Sequence, residues 1–133
     1  MILSFNKRFK PLILEGRKVH TIREDKRSRW EPLKPIHFAT GARTKEYEQF
    51  HVGVCTGVQD FELKYTDARG VVKVYIDGRH FGTWHRFMPQ NSVNPEGILQ
   101  LAVHDGFEGV KEFLNWFKRN FKGKIIHWTE LRY

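Results

Sequence analysis

Short runs in which apolar and polar residues alternate recur along the chain, and this spacing is typical of β-strands with one buried face. Two of the runs are separated by Asp77-Gly78, a pair favoured in two-residue turns, so they predict a β-hairpin. The runs predict strands over residues 2–5, 18–23, 36–39, 47–65, 71–76, 79–81 and 125–131. Proline, glycine and asparagine predict loops over residues 24–35 and 88–95.

The longest of these runs, residues 47–65, changes its pattern part-way along. Val52, Val54, Thr56 and Val58 share one face, whereas Phe61, Leu63 and Tyr65 fall on the opposite one. A strand cannot keep a single core face through such a change unless it bulges or bends, and Gly57 is the expected place for the bend. Bent strands of this kind are typical of small barrels, so the pattern favours a closed or nearly closed sheet.

Apolar residues with helical spacing occur in three other segments. Residues 8–15 carry a short stripe that ends at Gly16, with Pro11 in the first turn, where proline is tolerated. A short helix is predicted over residues 96–103, and the clearest one over residues 107–121, where apolar residues recur at steps of three and four. The sequence therefore predicts an α+β protein in which helices flank a sheet.

The composition fits one domain over residues 1–133. Hydrophobic residues make up 40% of the 133 and aromatic residues 14%, enough for a core without a disulfide or a metal. The single cysteine, Cys55, cannot form an internal disulfide, and three cations among the first ten residues argue against a secretory signal. The apolar runs are shorter than the roughly 20 residues that cross a bilayer. We therefore expect a cytoplasmic protein with no membrane partner, and the oligomeric state stays open.

Positive charge is concentrated near the N-terminus. Residues 1–35 carry ten Lys or Arg and four Asp or Glu, a net charge of +6 out of +8 for the whole chain. At the centre of this region is the stretch Gly16-Arg17-Lys18-Val19-His20-Thr21-Ile22-Arg23. Such a patch predicts an anionic partner, and nucleic acid is the commonest large anion in a cell. The alternatives are a solvated basic surface and a basic face that meets an acidic protein.

The seven histidines do not predict a metal site, because most lie singly on separate elements and lack the spacing of zinc ligands. The chain also lacks a phosphate-binding glycine loop and the Gly-x-Ser-x-Gly elbow of serine hydrolases. We therefore expect neither a metal nor a cofactor.

Two motifs at opposite ends of the chain resemble those of a known family. The stretch from Gly16 to Arg23, with a helix-like segment before it and Trp30 after it, is similar to the signature of the ASCH domain, a relative of the PUA fold. Residues 101–107 and 112–117 resemble the second helical motif of that family, whereas residues 45–94 match only loosely. The resemblance implies a small, mostly antiparallel PUA-like β-barrel with flanking α-helices. It also implies a role with RNA, a nucleotide or a modified nucleoside.

One branch of the family consists of amidohydrolases that remove the acetyl group from N-acetylated cytidine with a lysine, a threonine and a glutamate. By position these fall on Lys18, Thr21 and Asp105, the last being a shorter acid. A desolvated lysine can accept the proton of a threonine hydroxyl, and a carboxylate can carry that proton to the departing nitrogen. Lys18 and Thr21 face the same site only if Lys18 belongs to the Gly16 turn, because residues three apart on a strand point to opposite sides.

Each of these residues also has a structural interpretation. Lys18 is a candidate phosphate contact, Thr21 a β-forming strand residue, and Asp105 the cap of a helix that begins at Phe107. The binding interpretation adds cations and an aromatic ring that could hold phosphates and bases. Its residues are Arg17, Lys18, His20, Arg23, Arg29 and Trp30. Here too alternatives remain, since Trp30 could pack in the core and Arg23 could form a structural ion pair. The two main hypotheses are thus a nucleic-acid or nucleoside binding domain and an amidohydrolase.

Overall fold

A computed structural model describes residues 1–66 and 70–133 of the chain. Its strands are β1 (Ile2–Phe5), β2 (His20–Arg23), β3 (Pro35–Thr40), β4 (Glu48–Val54), β5 (Gly57–Thr66), β6 (Val71–Ile76), β7 (Arg79–His85) and β8 (Phe121–His127). The helices are α1 (Lys10–Leu14), α2 (Pro95–His104) and α3 (Val110–Trp116), with short 3₁₀ turns at Lys7–Phe9 and Pro89–Asn91.

The strands form two sheets. One has the order β1-β3-β4, in which β1 runs parallel to β3, and the other has the antiparallel order β2-β8-β5-β6-β7. The rings of Phe5 and Phe38 from the first sheet both pack edge-on against Trp128, which follows β8 of the second. The predicted α+β class with mostly antiparallel strands is confirmed. Closure into a barrel is not confirmed, because the described strands are hydrogen-bonded as two separate sheets.

Residues 47–65 do not form one bent strand but two strands in different sheets, and the break falls just before Gly57, where the bend was predicted. The core face is as predicted in the second half, where Phe61 and Leu63 are buried. In the first half the predicted core face is wrong, because Val52, which belongs to that face, is 56% exposed. Gly53 takes the inward position instead, and the ring of Phe38 occupies the space that a side chain there would need.

The helix predicted over residues 107–121 is shorter than expected. Only Val110–Trp116 is helical, and Phe121 already pairs with Leu63 in the second sheet. The backbone of Phe117 leaves the helical region, and its carbonyl accepts a hydrogen bond from the hydroxyl of Tyr65. Aromatic residues on either side of a short helix thus reproduced the spacing of one long helix. The other two helices and the hairpin at Asp77-Gly78 lie where the sequence predicted them.

Two chain segments meet where the candidate residues lie. Helix α1 ends at Leu14, and the chain turns at Gly16, which has a positive φ of 75°, before it runs through Lys18 and Val19 into β2. The N–H of Val19 donates to the carbonyl of His104 at 2.9 Å, which ties this turn to the end of α2. Gly106 follows that helix with a φ of 100°. This junction therefore sets the positions of the residues on both segments.

We predict that Gly106→Ala destabilises the protein more than Gly16→Ala. Both glycines have a positive φ, which alone costs an alanine about 1 kcal/mol. An added Cβ at Gly106 would also lie 2.8 Å from the Phe9 ring and 3.0 Å from Lys18 Cδ, whereas at Gly16 it meets no described atom within 4 Å. The expected loss for Gly106→Ala is about 2–4 kcal/mol, measured by urea unfolding. Equal losses in the two variants would contradict this packing.

Candidate active site

The side chain of Lys18 is buried between the turn and the end of α2. It is only 2% exposed, and its Nζ donates hydrogen bonds to the main-chain oxygen of Asp105 and, at 3.3 Å, to Oδ1 of the same residue. The ring of Phe9 lies 4.7 Å from Nζ. Burial lowers the pKa of Lys18 from 10.5 to about 8, and the negative charge of Asp105 offsets part of this shift. Lys18 is therefore an amine that can lose its proton close to neutral pH.

Lys18, Thr21 and Asp105 line one pocket of about 260 Å³. Because Lys18 precedes β2 and is not part of it, its side chain and that of Thr21 reach the same space although the two residues are three apart. The rest of the wall comes from β1, the first helical turn, β2 and the region around α3. These residues are Ser4, Phe5, Asn6, Phe9, Ile22, Arg23, Phe107, Trp116 and Phe117.

Arg23 lies beside the Thr21 hydroxyl on the pocket wall. Its Nε donates to Thr21 Oγ1 at 3.3 Å, and a terminal nitrogen donates to the carbonyl of Ser4 at 2.5 Å. The guanidinium also lies 4.9 Å from the ring centre of Phe5. Burial lowers the pKa of Arg23 from its usual value, yet the side chain remains a cation. A fixed positive charge therefore lies next to the candidate nucleophile.

Asp105 does not cap a helix with its side chain. It follows the last residue of α2, and α3 starts only at Val110, with Gly109 in the capping position. The carboxylate instead faces two buried nitrogens, Nζ of Lys18 and, at 3.1 Å, Nδ1 of His20. The capping interpretation is therefore wrong, because the helix that it required does not begin at Phe107.

The predicted binding residues are only partly brought together. Arg17 and Arg29 are exposed and do not line the pocket that contains Lys18. The Nη1 atom of Arg17 lies 3.6 Å from Oε2 of Glu15. Trp30 is 8% exposed and packs in the core, which is the alternative considered above, so it has no free face for a base. His20 is completely buried behind Asp105.

An aromatic side chain does line the pocket, but it is Trp116, which is 51% exposed. Its ring packs against Phe9 at 5.6 Å and Phe107 at 5.5 Å. Sequence reasoning placed Trp116 in the second motif without assigning it to the site. It is the last residue of α3, and the packing of its ring against Phe9 and Phe107 brings it to the pocket.

Depressions of about 610 and 520 Å³ lie around Asp60 and Lys124. Their walls include the exposed side chains of Lys122 and Glu31. The 260 Å³ pocket differs from them because its wall carries the buried charged pair of Lys18 and Asp105. Perturbed, buried ionisable groups in a cleft are a physical indicator of a functional site.

Among residues 1–66 and 70–133, no three His, Cys, Asp or Glu side chains are grouped so that they could hold a metal ion. Within the same ranges, no helix has the length and apolar character needed to cross a membrane.

Protein-family models, curated proteins and solved structures were compared with the chain, and none of them matches. The function is therefore inferred from the geometry and chemistry of the pocket together with the sequence motifs.

We predict that the protein loses stability in mild acid through its buried histidines. Burial lowers the pKa of His127 from 6.5 to about 3 and also lowers that of His20. As the pH falls below 6.5, these histidines become protonated in the unfolded chain but stay neutral in the folded chain. The free energy of unfolding therefore falls. For one such histidine the slope is up to about 1.4 kcal/mol per pH unit.

Urea unfolding between about pH 7 and pH 5 measures this slope. In the parent protein, Nε2 of His127 lies 3.0 Å from Oε1 of Gln59. The side-chain amide of glutamine in His127→Gln keeps an N–H near this position. This variant should show a flatter slope than the parent protein. A slope that is unchanged in the variant would mean that His127 does not cause the acid sensitivity.

Proposed function

We propose that the pocket binds a nucleoside with an acyl group on its exocyclic nitrogen, such as acetylcytidine, and that the protein hydrolyses this amide. The observation that carries the proposal is that Lys18, Thr21 and Asp105 line one pocket, with the lysine buried and its pKa lowered to about 8. The resemblance of the two motifs to the ASCH domain supports it. On this proposal the two sheets correspond to the PUA-like barrel of that family.

The size of the pocket also supports a small ligand. Its volume of about 260 Å³ is just below the range of roughly 300–1,000 Å³ that is usual for small-molecule sites. A single nucleoside suits such a pocket better than a folded RNA does. The half-exposed ring of Trp116 offers a flat face on which a base could stack.

In the proposed reaction, the neutral amine of Lys18 removes the hydroxyl proton of Thr21, and Oγ1 forms a bond to the acyl carbon. The bond from that carbon to the exocyclic nitrogen then breaks. The proton passes from Lys18 through Asp105 to the departing nitrogen, which leaves as the free amine. Water then cleaves the acyl-threonine ester, which releases the carboxylic acid and restores the hydroxyl.

The position of Arg23 supports this scheme. Its Nε lies 3.3 Å from Thr21 Oγ1, so its positive charge is close to the carbon that the hydroxyl would attack. The carbonyl oxygen gains negative charge in the tetrahedral intermediate, and a preorganised donor beside it lowers the barrier. Arg23 is itself held by the carbonyl of Ser4 and needs little reorganisation to act.

We expect the purified protein to deacetylate acetylcytidine. The change in absorbance of the nucleoside measures this reaction. Thr21→Ala should lower kcat by about 10³-fold or more, whereas Thr21→Ser should keep most of the activity. The rate should rise as the pH increases through about 8, because Lys18 must lose its proton to act as the base. Thr40→Ala is a matched control, since Thr40 is equally buried on β3. Full activity in Thr21→Ala would rule out the nucleophile.

A second candidate function is binding of RNA or a nucleotide without hydrolysis. It is favoured by the excess of positive charge at the site, where Lys18 and Arg23 face one carboxylate and the exposed Arg17 lies on the adjoining turn. Phosphate contacts of this kind give an affinity that falls steeply with salt.

For this candidate we expect single-stranded RNA to bind at low salt and Arg17→Glu to weaken the binding several-fold. Lys45→Glu, an equal charge reversal in the exposed loop between β3 and β4, should have a smaller effect. Titrations followed by fluorescence anisotropy at two salt concentrations measure both. An absence of binding at low salt would reject this candidate.

A further inference from the structure

A row of polar side chains leads away from the pocket behind Asp105. Asp105 Oδ1 lies 3.1 Å from His20 Nδ1, and His20 Nε2 lies 2.7 Å from the hydroxyl of Tyr133. That hydroxyl lies 3.4 Å from Nδ1 of His104, which is half-buried at the end of α2. We call these four residues the His20 row. Neither the resemblance nor the proposed reaction assigns a role to Tyr133 or His104.

The hydrogen bonds of the His20 row can run in only one direction when Asp105 is ionised. A carboxylate beside the Lys18 cation has no hydrogen to donate, so His20 Nδ1 must carry the hydrogen that it shares with Oδ1. A neutral imidazole carries one N–H, and therefore Nε2 of His20 must accept. Tyr133 then has to donate its O–H to Nε2, and its oxygen is free to accept from His104.

His20 is a neutral ring in this environment. It is completely buried, and desolvation lowers its pKa despite the carboxylate of Asp105. The charged and titratable groups that face it come from the turn, the end of α2, β8 and the last residues of the chain. They are Lys18, His104, Asp105, His127 and Tyr133.

Tyr133 is itself held in place by β5. Its main-chain N–H donates to Gln59 Oε1 at 3.0 Å, and its carbonyl accepts from Gln59 Nε2 at 2.8 Å. Its ring packs edge-on against Phe81 at 5.7 Å and His20 at 5.4 Å. The hydroxyl therefore points at His20 Nε2 from a fixed position.

We propose that Tyr133 and His20 are positioning residues for Asp105: the carboxylate fixes the His20 hydrogen on Nδ1, and the Tyr133 hydroxyl donates to Nε2 and holds the ring, so that Nδ1–H keeps the carboxylate beside Lys18. Without the hydroxyl, Nε2 is a buried acceptor with no donor, and the ring loses the hydrogen bond that fixes its orientation. A ring that shifts carries its Nδ1–H with it, and the carboxylate is then displaced from its place in the pocket. The effect on turnover rests on the proposed function, whereas the tautomer of His20 does not.

Nitrogen NMR of protein with isotope-labelled histidine tests the tautomer directly, because protonated and unprotonated ring nitrogens differ widely in chemical shift. In the parent protein the hydrogen of His20 should be on Nδ1, and in Tyr133→Phe it should stay there while the chemical shift of Nε2 changes, because Nε2 loses its donor. Tyr75→Phe is the matched control, since Tyr75 also packs its ring on a histidine, His80, at 5.7 Å. A hydrogen on Nε2 in the parent protein, or an unchanged chemical shift of Nε2 in Tyr133→Phe, would overturn the proposal.

Turnover of acetylcytidine tests the consequence for the pocket. Tyr133→Phe should lower kcat by roughly 10- to 100-fold with little change in KM, because a displaced carboxylate affects proton transfer more than binding. His20→Asn keeps an amide N–H near the position of Nδ1 and has no second tautomer. In that background Tyr133→Phe should therefore have no further effect on kcat.

The two failures are distinguishable. If the parent protein does not hydrolyse acetylcytidine, the proposed function fails, and the NMR experiment alone decides the role of Tyr133. If the parent protein is active but the losses in Tyr133→Phe and His20→Asn are simply additive, the positioning role is rejected and the proposed function stands.

Discussion

The burial of Lys18 against Asp105 is the constraint on which the candidate site depends. Taking an ammonium group out of water is costly, and one carboxylate with a main-chain carbonyl compensates only part of that cost. The surrounding fold must therefore hold both partners firmly. The turn after α1 places Lys18, the end of α2 places Asp105, and the hydrogen bond between Val19 and His104 joins the two segments. Gly106 keeps the backbone close enough for the contact to form.

The same burial produces the chemistry of the pocket. A lysine in water stays protonated well above neutral pH, but desolvation brings the pKa of Lys18 down to about 8. Arg23 remains a cation close by, so the pocket combines a lysine that can lose its proton with a fixed positive charge. Apolar residues of similar size often stabilise a fold at least as well as a buried ion pair, so this pair marks the cleft as a candidate functional site.

The buried residues behind Asp105 extend this arrangement into the core. His20 and His127 lie on paired strands with their rings 5.3 Å apart, and burial keeps both of them neutral. His127 Nδ1 has no hydrogen-bond partner among the described residues, which is a further cost in stability. The pocket is thus supported by polar side chains in a place where most small domains have apolar packing.

Much of the local structure was predictable from residue patterns. The hairpin at Asp77-Gly78, helix α2 and the end of α1 just before Gly16 depend on turn and capping residues that act over a few positions. The same patterns predicted the wrong local structure where contacts between residues distant in sequence determine it. Gly53 faces inward because Phe38 fills the space beside it, and Phe121 joins the second sheet because Leu63 is its partner there.

The sequence by itself determined the α+β class, the order of most elements and the two segments that carry Lys18, Thr21 and Asp105. Those properties follow from spacing and turn chemistry, which are local. The tertiary structure alone decided that Lys18 and Asp105, 87 residues apart, form a buried pair, and that Tyr133 reaches His20 across 113 residues. Such contacts depend on how separate segments pack together. The desolvation that lowers the pKa of Lys18 exists only after they have done so.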